Sequence, residues 1–383
     1  MVQLWDDLFQ LCEKHEMRLL ITPVDTYWMW LRWKHHPYNK KNGGPCVRRS
    51  EWLMCKETRE AIKNRFTFFI SRWGGSGALF AWDLWNEIHP AHCGGKSEYI
   101  IPFISEISDH VRNLELKLYG RSHLQTVSIF GPQLDKNPEL ADAIFRHPKL
   151  DFASSHFYDA ATINNPKDTV QSAVVTGKLV REALQHITDN RPFLDSEHGP
   201  IYAFKNRKRI LPEAFDDEYF KHIQWAHLAS GGAGGGMRWP YRHPHVLTEG
   251  MRREQIILSK FSNLVKWKTF RRKNINEEIR LSSKAFTSFG CSDSTQAIVY
   301  LLRIDAIKRK QINKKAKPVD VKMIIPEMAS GTFLITEFNT HTGSIEKKWE
   351  IVQISPGNLI LQLYDLTTDL AVLVQAISEG KQV

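Results

Sequence analysis

From residue 1 to about 267, short apolar runs alternate with helical stripes. The opening MVQLWDDLFQLCEKHEM predicts an amphipathic helix with Leu4, Leu8 and Leu11 on one stripe. LLITPVD (19–25) reads as a buried strand, and Ile62, Phe66, Phe69 and Trp73 then recur at helical spacing. ALFAWDLWNE (78–87) is the next strand, followed by a helix carrying Phe103, Ile107, Val111 and Leu114. TVSIFGP (126–132), LDFASSHFY (150–158), RPFLDSEHG (191–199) and GAGGGMRWP (232–240) come next, with helical segments at 169–187 and 216–229. Continuous apolar strands separated by amphipathic helices indicate βα units and a parallel sheet. Six such units, each ending in polar or aromatic residues, favour a barrel over an open sheet. No GxGxxG turn opens a helix after the first strand, and GGAGGG (231–236) runs into MRWP instead of a helix, so no nucleotide cradle is expected.

After Trp267 the pattern changes. AIVYLL (297–302), VKMII (321–325), TFLITEF (332–338), KWEIVQI (348–354), NLILQLY (358–364) and LAVLVQ (370–375) are strand-like and separated by turn signals such as THTGS and SPGN. The expected organisation is therefore an α/β barrel over 1–267 and an all-β sandwich over 268–383.

Composition narrows the classes. Apolar residues make up 42 % of the 383 and charged residues 25 %, the balance of a water-soluble domain protein. No run of 18 apolar residues is present, so no membrane partner is expected, and the acidic opening segment is not a signal peptide. Five cysteines are too few for a disulfide scaffold; a bridge between Cys46 and Cys55 is compatible with their spacing but not shown by it. Cys93 follows His89 and His92, yet no CxxC pair or second ligand cluster accompanies them, so no metal is expected. The formal net charge is +10, and Lys268 to Pro318 holds 13 basic against 4 acidic residues, densest at KRKQINKKAK (308–317). That run lacks interleaved aromatics, which favours a solvated loop or strand edge over a nucleic-acid groove.

The chemistry is carried by carboxylates. In a βα barrel the site forms at the C-terminal ends of the strands, and Glu87 and Glu197 each follow an apolar strand and precede a polar loop. Asn86 directly precedes Glu87; Trp82 and Trp85 flank the same strand; His156 and Tyr158 end another; Trp239 ends the last. Two carboxyl groups with aromatic faces and hydrogen-bonding side chains are what cleavage of a glycosidic bond requires.

With these residues in place, the sequence resembles the clan A glycoside hydrolases, and among them the family 5 cellulase and mannanase group. The resemblance rests on WDLWNE, SSHFYD, DSEHG and GGGMRWP in barrel order over about residues 1–267. It implies a (β/α)8 TIM barrel with Asn86 on the sugar 2-hydroxyl, Glu87 as acid/base and Glu197 as nucleophile. It also implies Tyr158 orienting the nucleophile, His156 beside it, and Trp239 flooring the catalytic subsite. Taking LLITPVD as strand three leaves strands one and two without counterparts. The barrel is then expected to be N-terminally truncated to about six βα units, and the compartment stays open, secreted or periplasmic included. Trp28 and Trp30 are candidates for outer subsites, and Asp25 follows the same strand. His89, His198 and Arg238 are candidates behind the catalytic groups. His243 and His245 read as rigid loop residues between prolines, and Asp83 and Asp195 as structural.

The expected function is a retaining hydrolase of β-linked glucan or mannan, with no cofactor. Glu87, as the acid, is expected to have a raised pKa, and the two carboxyl groups to stand about 5–5.5 Å apart. The alternative is a catalytically impaired carbohydrate-binding remnant. The partner in either case is a β-linked oligo- or polysaccharide, not nucleic acid; oligomeric state is not legible.

Overall fold

The computed structural model describes residues 2–200, 211–235, 237–239 and 247–377. The chain divides into two compact units: residues 1–156 with 186–196, and residues 157–185 with 197–383.

In the first unit, β1 (Leu19–Ile21), β2 (Leu79–Asp83) and β3 (Leu124–Thr126) pair in parallel in sequence order. One residue further, β4 (Ser128–Phe130) pairs in parallel with β5 (Ala153–Phe157). The helix Lys56–Trp73 lies in the crossover from β1 to β2, and the helix Ile100–Tyr119 in that from β2 to β3. Parallel strands in sequence order with helical crossovers are the βα units that the apolar pattern predicts. The first of these helices buries Thr58, Ile62, Phe66, Ile70 and Trp73, a stripe at spacings of three and four. The second ends at Gly120, which takes the left-handed conformation (φ 66°) that a side chain would resist.

The first helix, Val2–Lys14, forms as expected but presents a different face. Leu4 and Leu11 are 70 % and 54 % exposed, whereas Phe9 and Cys12 are buried. Phe9 stacks on Trp73 at 5.5 Å, and Trp5 meets Phe69 edge-on at 5.7 Å. Asp6 fixes the orientation by accepting from both the Arg72 guanidinium and the Trp73 indole. Aromatic area and one ion pair outweigh the leucine stripe; a buried phenylalanine alone contributes about 1.5–3 kcal/mol.

In the second unit, the end of β6 (Phe193–His198) pairs in parallel with β7 (Met237–Arg238). Three helices follow the same alternation: Gln171–Gln185, Glu213–Ala229 and Glu249–Ser262. Beyond them the chain is all β and antiparallel. One sheet has β8 (Lys273–Asn274), β10 (Phe286–Ser292), β11 (Gln296–Arg303), β15 (Gly331–Asn339), β16 (Ser344–Gln353) and β18 (Asp369–Ala376), in the order β16-β15-β18-β11-β10-β8. The other runs β17-β14-β9, with β9 (Arg280–Leu281), β14 (Val319–Met328) and β17 (Gly357–Leu366). The two share a core of Val299, Leu301, Met323, Phe333, Leu361 and Val372, so the trailing segment is a sandwich, as its pattern predicts.

The unbroken apolar run AIVYLL has a physical reason. Val299 and Leu301 face the sandwich core, while Ile298, Tyr300 and Leu302 face Trp225, Phe261 and their neighbours on the helices. A strand covered on both faces has no polar side to alternate. The basic run falls on a small hairpin, β12 (Ile307–Lys308) and β13 (Gln311–Ile312), whose turn residues Arg309 and Lys310 both have positive φ. Its cations are exposed to solvent. Among the described residues, no helix is long and apolar enough to cross a membrane.

Candidate functional site

In the first unit the residues after β2 form one group of candidate side chains. The strand leaves its ladder at Asp83, and bonds to neighbouring segments hold the residues that follow. The Asn86 amide donates to Val24 O at 3.0 Å, and the Thr26 hydroxyl donates to Asn86 O at 2.6 Å. The Asn86 side-chain amide donates to Asp25 Oδ1 at 3.3 Å. Glu87 then adopts φ 52°, a left-handed backbone that a glutamate takes only when its surroundings impose it. Here the imposition is visible: the Glu87 amide donates to Ser128 Oγ at 3.1 Å, and the Ile88 amide to Ser128 O at 3.0 Å.

Ser128 is itself fixed by Asp83, which accepts from its hydroxyl at 2.7 Å and its amide at 3.1 Å. Burial pushes the Asp83 carboxyl up to about 6, against the pull of the Ser128 bonds. Burial likewise raises Asp25. The Glu87 side chain meets His156, whose Nδ1 lies 2.8 Å from Glu87 Oε1. His156 is buried at the end of β5, where its carbonyl accepts from the Gly131 amide at 2.9 Å. A Cβ at Gly131 would lie 2.8 Å from that carbonyl oxygen, so β4 and β5 close on each other only around glycine.

In the second unit Glu197 lies on β6 opposite Met237, with His198 opposite Arg238. The Tyr158 hydroxyl donates to Glu197 Oε1 in a short hydrogen bond. One residue past β7, the Trp239 amide donates to His198 O at 2.6 Å, and its side chain is 38 % exposed. The His198 ring is fully buried, 6.2 Å from the Phe220 ring.

Other candidate residues fall differently. Trp82 and Trp85, which the sequence places beside the carboxylate, are fully buried and offer no face to a ligand. The Trp82 indole donates to Glu115 at 2.9 Å, and that of Trp85 to Thr26 Oγ1 at 2.6 Å. Alternation along the strand breaks down here because both faces are covered. Trp30 is half-buried, with the Arg49 guanidinium 3.5 Å above its ring. The side chains of Trp28 and Arg238, and residues His243 and His245, lie outside the described residues.

His89 accepts from the Ala91 amide at 3.0 Å and meets Gln133 at 3.2 Å, so it braces its own loop. The three zinc-like residues are similarly occupied by local bonds: His92 Nδ1 accepts from the His89 amide, and the Cys93 thiol donates to Pro90 O and Lys96 O. Burial pulls His92 down to about 3. Sequence reasoning missed Ser128 and Gln133, since a lone serine or glutamine at a strand end carries no pattern.

No family model matches the sequence, and no curated protein matches it either. Among solved structures, the chain is similar to a glycoside hydrolase family 5 protein from Bacteroides vulgatus, with TM-score 0.49 and 11 % identity over 84 % of this chain and 68 % of that one. A second, described as a glycoside hydrolase, has TM-score 0.47 and 12 % identity over 84 % and 70 %. A family 30 endoxylanase from Clostridium papyrosolvens has TM-score 0.43 and 10 % identity over 86 % and 72 %. These are likenesses of partial extent.

Proposed function

We propose that the chain is a retaining glycoside hydrolase acting on β-linked glycans of glucan or mannan type, with Glu87 as acid/base and Glu197 as nucleophile. The observation that carries this reading is the pair of differently dressed carboxylates at strand ends. Glu87 is held in a strained backbone with an imidazole on its side chain; Glu197 accepts from a tyrosine hydroxyl.

The two environments suit two roles. An acid/base must lose and regain a proton during turnover, and His156 beside Glu87 can exchange hydrogen-bond direction with it. A nucleophile must stay ionised and oriented, and a tyrosine hydroxyl stabilises the anionic form by donating to it. Glu197 would attack the anomeric carbon while Glu87 protonates the departing oxygen. In the second step Glu87 would take a proton from water as it displaces Glu197. Asn86, held by its backbone bonds and by Asp25, precedes Glu87 and would meet a sugar hydroxyl in this reading. The half-exposed indole of Trp239 provides an apolar face for a pyranose ring. Nothing in this chemistry calls for a metal or organic cofactor.

The test is the anomeric configuration of the first-formed product from an aryl β-glycoside, followed by proton NMR. Retention supports the reading, and an initial α-product contradicts it.

A further inference from the structure

In the first unit, the segment between β1 and the helix Lys56–Trp73 folds back so that two cysteine side chains meet the first turn of that helix. Cys46 is fully buried at a bend closed by its amide donating to Tyr38 O at 2.9 Å and its carbonyl accepting from the Lys40 amide at 2.7 Å. Its Sγ lies 3.1 Å from Thr58 Oγ1. Cys55 is the residue before the helix, half-exposed, and its thiol donates to Glu57 Oε2 at 3.2 Å. Thr58, which the Cys46 Sγ touches, stands three residues after Cys55 in the first turn of the same helix, next to Glu57, so both cysteine side chains meet that turn. The other thiols, Cys12, Cys93 and Cys291, are buried elsewhere.

The ten-residue stretch from Cys46 to Cys55 carries two side chains of consequence. Arg49 covers the face of Trp30 at 3.5 Å. Trp52, fully buried, sits against Trp30 (6.2 Å), Trp33 (5.9 Å), His92 (5.2 Å) and Trp85 (6.1 Å), the residue before Asn86. The segment therefore forms the backing of the strand end that presents Asn86 and Glu87.

We propose that Cys46 and Cys55 are a redox couple, joined by a small-molecule disulfide oxidant into a bond that clamps the segment carrying Arg49 and Trp52. The accessible Cys55 reacts first. Its thiolate attacks one sulfur of the oxidant, which releases one thiolate and leaves a mixed disulfide. The Cys46 thiol then gives up its proton and attacks the Cys55 sulfur, expelling the second thiolate. Two protein thiols are oxidised, the oxidant is reduced to two thiols, and the two protons end on them. Burial pushes the Cys46 thiol up to about 12, which makes it the resolving partner and not the initial nucleophile.

The sequence makes the test direct, because trypsin cuts after Arg48 and Arg49 and so puts the two cysteines on separate peptides. The intact protein is exposed to oxidised glutathione, its remaining thiols are blocked with N-ethylmaleimide, and the digest is read by mass spectrometry with and without reductant. The expected result is a reducible cross-link between the two peptides, lighter by two hydrogens than their sum. The oxidised protein should also unfold several degrees higher than the reduced one. Cys46→Ser should instead leave glutathione on Cys55, with no rise in the unfolding midpoint. The inference is overturned if both cysteines of the wild-type protein carry N-ethylmaleimide after oxidation, or if Cys55 keeps its glutathione there. A cross-link that leaves the midpoint unchanged overturns the clamp.

Discussion

His156 Nδ1 lies 2.8 Å from Glu87 Oε1, and both belong to the ends of parallel strands in the same compact unit. When Glu87 is ionised the imidazole N–H donates to it; when Glu87 is protonated its O–H donates to the ring. His156→Ala removes that partner without touching the carboxylate. Under the proposed function, kcat should fall by roughly 10²-fold through misplacement of the acid. Intact turnover would separate His156 from the chemistry.

Ser128 holds Glu87 in its left-handed backbone and ties it to buried Asp83. Ser128→Ala takes the acceptor from the Glu87 amide and leaves Asp83 Oδ2 with only the longer Thr22 bond, which costs about 1–3 kcal/mol. Chemical denaturation should show that loss. Turnover should fall further than stability alone explains, whereas Ser128→Thr should restore part of both.

A buried ion pair fastens the helices of the second unit to its sandwich. Lys221 Nζ lies 2.8 Å from Asp369, and His341 Nε2 lies 3.0 Å from it. Asp369→Asn strands a buried ammonium and should cost about 3–5 kcal/mol. Burial opposes ionisation of Asp369, but Lys221 and His341 win and hold its carboxyl well below the usual range. Its contribution is therefore complete above the unfolded aspartate value and is lost as pH falls through the folded one.

Glu254 behaves in the opposite sense. Burial pushes it up from 4.5 to about 7, although Lys221 and the Trp225 indole favour its charged form. The folded chain then holds a proton that the unfolded chain has released, so stability should decline as pH rises from 4.5 to about 7. Glu254→Gln should flatten that decline in a series of melting curves. An unaltered slope would mean that another group is responsible.

The βα order and the trailing sandwich were legible because burial imposes a periodicity that needs no partner information. The face of the first helix was not. Leu4, Leu8 and Leu11 form the cleaner stripe, but the choice between that face and the one bearing Phe9 is made by Trp73 and Arg72, far along the chain. Trp82 and Trp85 misled for a related reason, since a tryptophan beside a carboxylate reads as a platform until its far side is known to be covered. The carboxylates themselves stood out because Glu87 and Glu197 close apolar strands. Ser128, which sets the backbone of Glu87, left no trace, because its role depends entirely on which strand lies next to it.

The assignment of roles is tested most directly by azide rescue with an activated aryl β-glycoside. In Glu197→Ala the covalent intermediate cannot form, so turnover should vanish, and azide should enter the vacated carboxylate space and give the inverted α-glycosyl azide. In Glu87→Ala a good leaving group departs without protonation, the glycosyl-enzyme accumulates, and azide should release the retained β-glycosyl azide. The products are read by NMR of the anomeric proton. An α-azide from Glu197→Ala together with a β-azide from Glu87→Ala is the outcome this account predicts; the reverse pairing would contradict it.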